Sequence, residues 1–273
     1  MFKTKLLVIA LGAAFALPAM AEDAPVTSHK EEFHAAAEAA SPFTFNVGLV
    51  TDYIYRGITQ TAHGAAVQGG VDYAHASGLY AGAWGSNVSW IKDSGAIATG
   101  NTNIELDTYF GFKNSIAEDL SYDVGYVRYN YLGTYTPAAG FNNADTAEVY
   151  GAAIYKFATL KYSYGLLDGF LTIPGAKGTN YIDLSASYPV ADSGVTIGAH
   201  IGKQTFVGTT ADTFAAAGTT LTYTDYKLSA SKDFSGYVVG LNYTSTNASS
   251  AWTYAKGDKW GKSVAALSVT HSF

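Results

Sequence analysis

The sequence predicts an all-β fold, a transmembrane antiparallel up-and-down β-barrel of about twelve strands preceded by a cleaved signal peptide. Three observations predict it. The 273 residues are 48% hydrophobic and 14% aromatic but only 14% charged, whereas an ordinary soluble domain carries about 25% charged residues. Part of the surface is therefore expected to face something other than water. From Phe43 onward, apolar and polar residues alternate with a period of two, as strands with one apolar face require. The connections between these segments alternate between short and long, which is the habit of barrels in an outer membrane.

Residues 1–21 open with Lys3 and Lys5, continue in an apolar stretch from Leu6 to Leu17 and close on Ala19-Met20-Ala21. This basic, apolar, small-x-small order is that of a secretory signal peptide cut after Ala21. The apolar run falls short of the ~18–20 residues of a membrane-spanning helix. Its removal leaves 14 basic against 22 acidic side chains, a net charge of −8, and no basic stripe for nucleic acid. Residues 22–42 form a polar, alanine-rich tract ending at Pro42, read as a solvated periplasmic tail. Beyond it no window holds 18 consecutive apolar residues, so any membrane crossing is by strands.

The barrel is expected over 43–273. Alternation marks twelve segments, near 43–56, 65–75, 79–91, 102–114, 120–132, 146–157, 159–167, 179–190, 194–206, 221–234, 236–246 and 260–273. Ile104, Leu106, Thr108, Phe110 and Phe112 alternate with Glu105, Asp107, Tyr109 and Gly111; Tyr237, Val239, Leu241 and Tyr243 alternate with Val238, Gly240, Asn242 and Thr244. Tight turns follow every even-numbered segment up to the tenth, and longer links rich in Gly, Asn, Thr and Asp follow the odd-numbered ones, as at 92–101 and 247–259. An even count places both termini on the periplasmic side. Dividing the 252 mature residues by twelve gives 21 per strand and connection, enough for a tilted span of ~9–11 residues and its share of loops. Tyr53, Tyr55, Trp84, Trp90, Tyr126, Tyr129, Trp252 and Trp260 lie near segment ends and are expected at headgroup depth, where rings with one wet edge are favoured. The final strand ends on Phe273, in parity with Ala265, Leu267, Val269 and His271. A terminal aromatic of this kind resembles the signal by which the barrel-assembly machinery recognises its clients.

The stretch Asn46 to Trp90 carries TDYIYRGITQ at 51–60, VQGGVDY at 67–73 and SGLYAGAWGSNV at 77–88; IELDTYFGF at 104–112, YDVGYVRYNY at 122–131 and YIDLSASYPV at 181–190 extend the pattern. It resembles the TorF family of porins, formerly a conserved hypothetical family. The resemblance implies a Gram-negative outer-membrane barrel and a pore, and it transfers no substrate and no catalytic residue.

With the apolar parity against lipid, the other parity lines the lumen: Asp52, Arg56, Asp72, Glu105, Asp107, Asp123, Glu148, Lys156, Lys161, Asp183, His200, Asp225, Lys227 and Asp233. A basic group on the lipid face would cost ~2–4 kcal/mol at the midplane. These side chains are candidates either for a selectivity lining or for ion pairs that brace a narrow barrel. Acids outnumber bases in the set, so a mild cation preference is expected. Eight-stranded barrels are filled by side chains and those of 16–18 strands hold a water channel, so twelve strands suit a narrow conduit at most. Arg128, Lys203 and Lys232 fall on the apolar parity near strand ends, where snorkelling rescues them.

The expected function is therefore a porin-like channel for passive diffusion of ions or small solutes, with outer-membrane lipid, lipopolysaccharide and the assembly machinery as partners. A closed structural or adhesive barrel, contacting partners through loops 207–220 and 247–259, is the alternative, and a soluble sandwich is a third reading. No cofactor is implied. Cysteine is absent, which excludes thiolate metal sites and cysteine nucleophiles. Among six histidines, His63 and His200 are the two placed to act as a base, and no Gly-x-Ser-x-Gly signature accompanies them, so an enzyme is not expected. His29 and His34 near Glu31, Glu32 and Glu38 are read as part of the solvated tail rather than a metal site.

Overall fold

Alternating sequence becomes alternating exposure along strands such as Phe43–Val50, Ala158–Gly165 and Tyr237–Thr246. The computed structural model describes residues 41–254 and 257–273. The expected signal peptide and almost all of the expected tail lie outside those residues. Among the described residues are fourteen strands: β1 Phe43–Val50, β2 Ile54–Tyr55, β3 Ile58–Thr59, β4 Ala66–Ala74, β5 Leu79–Asn87, β6 Ile97–Ala117, β7 Leu120–Pro137, β8 Thr146–Tyr155, β9 Ala158–Gly165, β10 Asn180–Val190, β11 Val195–Thr205, β12 Tyr223–Phe234, β13 Tyr237–Thr246 and β14 Val264–Ser272. Short helices α1 Trp90–Asp93 and α2 Thr209–Ala216 sit in the β5–β6 and β11–β12 links.

Twelve strands close one antiparallel barrel in which β1 lies between β4 and β14, while β2 and β3 pair with each other alone. The seam runs from Asn46 opposite Ser272 to Val50 opposite Ser268, and the terminal Phe273 N–H donates to the Phe45 carbonyl at 2.9 Å. Closure matters because backbone groups left unpaired in hydrocarbon cost several kcal/mol each. Expected and observed wall strands match segment by segment, with differing ends. β6 and β7 extend past the barrel as a long arm, with register shifts at Ile97/Thr99 and Thr102/Ile104, and a third, Ser115/Ala117, lies at their turn end. The segment expected at 79–91 stops at Asn87, the one expected at 260–273 begins at Val264, and the one expected at 43–56 ends at Val50.

The outer face is apolar: Phe45, Leu49, Val67, Phe110, Leu184, Leu228, Leu241 and Leu267 are all exposed, while Gly48, Asp107, Glu148 and Asn242 between such residues are buried. A continuous apolar belt of this extent is unstable in water and matches hydrocarbon. The molecule is thus an outer-membrane-type β-barrel. Phe43, Tyr155, Phe157, Tyr188, Phe234, Tyr237 and Phe273 form an outward aromatic rim at the short-turn end.

The expected headgroup positions of seven other aromatics are overturned. Tyr53, Tyr55, Trp84, Trp90, Tyr129, Trp252 and Trp260 are buried inside the long-loop end in one cluster, and of that set Tyr126 alone is on the outer face, stacked on Phe110. Packing decides this outcome. A twelve-stranded bore must be filled wherever water is excluded, and large rings fill it. Trp260 forms the hub, with Tyr254 stacked on it at 4.3 Å and Trp252 and Trp90 edge-on at 5.8 and 6.2 Å.

Candidate functional site

Between β1 and β4 the chain does not run over the rim as an external loop. Residues 51–65 turn into the barrel, where β2 and β3 form a small hairpin. Tyr55 and Ile58 pair across a two-residue turn whose residues, Arg56 (φ 47°) and Gly57 (φ 74°), both have positive φ. That is the signature of a type I′ hairpin, which normally takes Asn-Gly. Arginine in the left-handed region costs about 1–2 kcal/mol, so its side chain must return more than that.

It does so by reaching the opposite wall. Arg56 donates to both carboxylate oxygens of Glu148 on β8, at 3.0 and 2.8 Å, and to Gln204 Oε1 on β11 at 2.8 Å. Its guanidinium lies over the rings of Tyr181, at 4.3 Å, and Tyr55, at 4.8 Å. The pair is almost fully buried, at 3% and 1% side-chain exposure; charges survive such burial when paired and hydrogen-bonded. Tyr129 on β7 steadies the carboxylate, donating to Glu148 Oε2 at 3.1 Å while accepting from Tyr55 at 3.0 Å.

The rest of the hairpin is anchored in the same manner. Tyr53 donates to Glu105 on β6 at 2.9 Å, and burial followed by the charge of Glu105 raises the Tyr53 phenol well above its ordinary pKa, which keeps it a donor. Thr59 donates to Asp52 at 2.5 Å, and His63 Nδ1 lies 2.7 Å from the other Asp52 oxygen. From the loops, Tyr254 donates to the Thr59 carbonyl at 2.7 Å, the Trp260 carbonyl accepts from Thr59 N–H at 3.1 Å, and the Gln60 carbonyl accepts from Ser89 and Trp90. Burial likewise raises the Tyr254 phenol.

The wall beneath the hairpin is lined by tyrosine–carboxylate pairs and lysines. Tyr109 donates to Asp72 at 2.5 Å and Tyr80 to Asp123 at 2.6 Å, with Tyr80 also against the Tyr150 hydroxyl. Glycines make room for these rings: a Cβ on Gly82 would overlap Tyr109, and one on Gly202 would overlap Tyr181. His200 bridges Asp183 and Asp225, and Tyr181 donates to Asp225 at 2.9 Å. Lys161 lies over the Tyr150 ring at 4.5 Å and opposite Asp183. The charged lining is confined to one arc. β13, β14 and β1 turn toward the lumen only Gly, Ala, Val, Ser, Thr and Asn among their described residues.

Of the residues read as lumen-lining, Asp72, Glu105, Asp107, Asp123, Glu148, Lys161, Asp183, His200, Asp225, Lys227 and Asp233 lie on the inward parity of their strands. Glu105 and Asp107 are both fully enclosed. Asp52 and Arg56 are interior through the hairpin and not through a first strand reaching residue 56, because that strand ends at Val50. Lys156 is a correction. It stands in the exposed β8–β9 turn, 3.4 Å from Asp119, and that carboxylate raises its pKa. A two-residue turn with Lys156 at φ 52° carries it off the strand parity. His63 and His200, weighed as bases, both have their ring nitrogens engaged by carboxylates or a carbonyl. Sequence reasoning missed Lys113, which shares the inward parity of Asp107 and faces Asp123, and it missed Gln204. The Lys113 parity was readable; the role of Gln204 depends on a contact across 148 positions of sequence.

A family model for a bacterial family of unknown function, Gcw_chp, matches residues 36–273. The chain belongs to the Gcw_chp family. Its matched region takes in the hairpin and every wall strand of this Gcw_chp member. No curated protein matches its sequence. Among solved structures it is similar to the KdgM porin, with 7% identity over 84% of this chain and 98% of that one at a TM-score of 0.49. Likeness to the NanC porin covers 85% and 98% at 10% identity and a TM-score of 0.47. For OprD from Pseudomonas aeruginosa the values are 85% and 64%, 13% and 0.37.

Proposed function

We propose that this barrel is a channel of the Gram-negative outer membrane, carrying ions or small solutes passively down their gradients, and that the 51–65 hairpin is its gate. The observation that supports it is the inversion of polarity across the wall: a lipid-type exterior around a lining of carboxylates, lysines and tyrosines. A barrel that served merely as an anchor could be filled with apolar side chains at lower cost, since each buried charge must be paired. Inward carboxylates outnumber inward lysines and Arg56, and a mild preference for cations is expected from the focused field. Lipid, lipopolysaccharide and the assembly machinery, the last through Phe273, are its proposed partners, and 1–21 is proposed as the signal removed after Ala21.

The second reading, a closed barrel that presents loops to partners, is favoured by one specific observation: the hairpin and the aromatic cluster occupy the long-loop end. Planar-bilayer recording of the refolded mature protein in a salt gradient separates the two. Discrete openings with a cation-side reversal potential support the channel. Silence from wild type and from a hairpin-deleted variant, both shown folded by circular dichroism, supports the closed barrel.

A further inference from the structure

Arg56 occupies a receptor that is built by the wall rather than by the hairpin. Glu148 comes from β8, Gln204 from β11, Tyr181 from β10 and Tyr129 from β7. Each is oriented by partners of its own. The Gln204 amide donates to the Asn180 carbonyl at 3.1 Å, which turns its Oε1 toward the guanidinium; Tyr129 holds Glu148; and Tyr181 is fixed on Asp225. The result is a two-oxygen acceptor, a third acceptor and an aromatic face, the full complement of a planar cation.

We infer that this pocket is a binding site for guanidinium-bearing solutes, with Arg56 its resident pseudo-ligand. Withdrawal of the hairpin would take Arg56 from Glu148 and leave the carboxylate to water or to another cation. Opening is therefore an exchange, in which a solute guanidinium offers Glu148 the fork and charge that Arg56 gave it. A guanidinium fits the fork and the ring, whereas K⁺ offers neither directional donors nor a π-face. The use of this site in transport rests on the channel reading; the binding does not.

The test is chemical rescue. Arg56→Ala, refolded in detergent and verified by circular dichroism and by heat-modifiable electrophoretic mobility, is melted in millimolar methylguanidinium chloride and in matched KCl. Expected is a rise in melting temperature with methylguanidinium alone, with half-saturation at least about tenfold lower than in Arg56→Ala/Glu148→Gln, as loss of a bidentate charge-assisted pair predicts. Equal effects of the two salts, or rescue indifferent to Glu148→Gln, would overturn the site. If Arg56→Ala fails to refold in KCl, refolding with methylguanidinium present supports the site. If it refolds in neither, Arg56→Lys, which keeps a cation on Glu148 but not the fork, is titrated in its place; a rise with methylguanidinium alone again supports the site, and equal effects of the two salts again overturn it. Bilayer currents separate the two readings: rescue without current leaves the site and removes the channel, and current without rescue does the reverse.

Discussion

Gly57 is the most sensitive point of the hairpin. Its φ of 74° lies in the left-handed region, and an added Cβ would come within 2.6 Å of Asp225 Cβ and still closer to a Thr246 methyl. Asp225 Cβ is one bond from the β12 backbone and cannot swing aside. In Gly57→Ala the backbone conformation costs about 1 kcal/mol and the overlap about 1–3 kcal/mol. The overlap arises only while the hairpin is seated against the Asp225–Thr246 pair that ends the β12–β13 ladder. A total of about 2–4 kcal/mol shifts the seating equilibrium by about 30- to 700-fold. Single-channel recording should therefore show a large rise in open probability, with unchanged far-ultraviolet circular dichroism. Open probability equal to wild type, in a variant whose melting temperature is also unchanged, would refute the argument that seating closes the bore.

Three further outcomes are expected, two from the geometry of the lumen and one from the sequence of residues 1–21. Lys161→Gln removes an inward charge beside Asp183 and should move the reversal potential toward stronger cation preference, while Lys156→Gln, out in the turn, should leave it unchanged; a swap of these effects would reverse the placement of the two lysines. Tyr53→Phe strips a donor from the enclosed Glu105 and should destabilise the folded protein by about 1–3 kcal/mol, read as a lower denaturant midpoint at unchanged slope. Mass spectrometry of the exported protein should find Glu22 as its first residue.

The wall was legible in the sequence because its physics is local. Period-two alternation, tight turns such as Ser235-Gly236 and the largely charge-free outward parity each need a few neighbouring residues to be read, and β4 through β13 lie where alternation puts them. The interior was not legible, since its logic is long-range. Tyr53, Tyr55, Trp84 and Trp260 stand at strand ends in sequence, and strand-end aromatics are ordinarily read as a headgroup girdle. What sends them inward is the bore of a twelve-stranded barrel, which no window of sequence reports. The first segment misled for a related reason. Tyr53 and Tyr55 fall on the same odd parity as Phe43 to Leu49, with Asp52 and Arg56 on the even one, past the true end of β1, and the signal that a turn was coming, Arg56-Gly57, has arginine where Asn would have announced a type I′ hairpin.

That arginine also bears on mechanism. The hairpin leaves the wall at Val50 and returns at Ala66, two residues paired with each other, with Thr51 still bonded to Leu267 on β14, so from Asp52 onward it can move without breaking the ladder. Its attachments to the wall combine polar contacts, Arg56 to Glu148 and Gln204, Tyr53 to Glu105 and Tyr55 to Tyr129, with ring packing of Tyr53 on Trp84 and Tyr55 on Tyr129. Water or a solute can replace the polar ones, and net hydrogen bonds of this sort contribute about 1 kcal/mol each, more for the charged one. Its attachments to the loops are of the same two kinds, polar and packed, with Ile58 against Gly261, Tyr254 bonded to Thr59 and the Trp260 carbonyl bonded to the Thr59 N–H. Of all these contacts, the charged one from Arg56 to Glu148 is the one that a solute cation can replace in kind. The closed state then depends on a guanidinium held at positive φ, where a residue chosen for the turn alone would never have been placed.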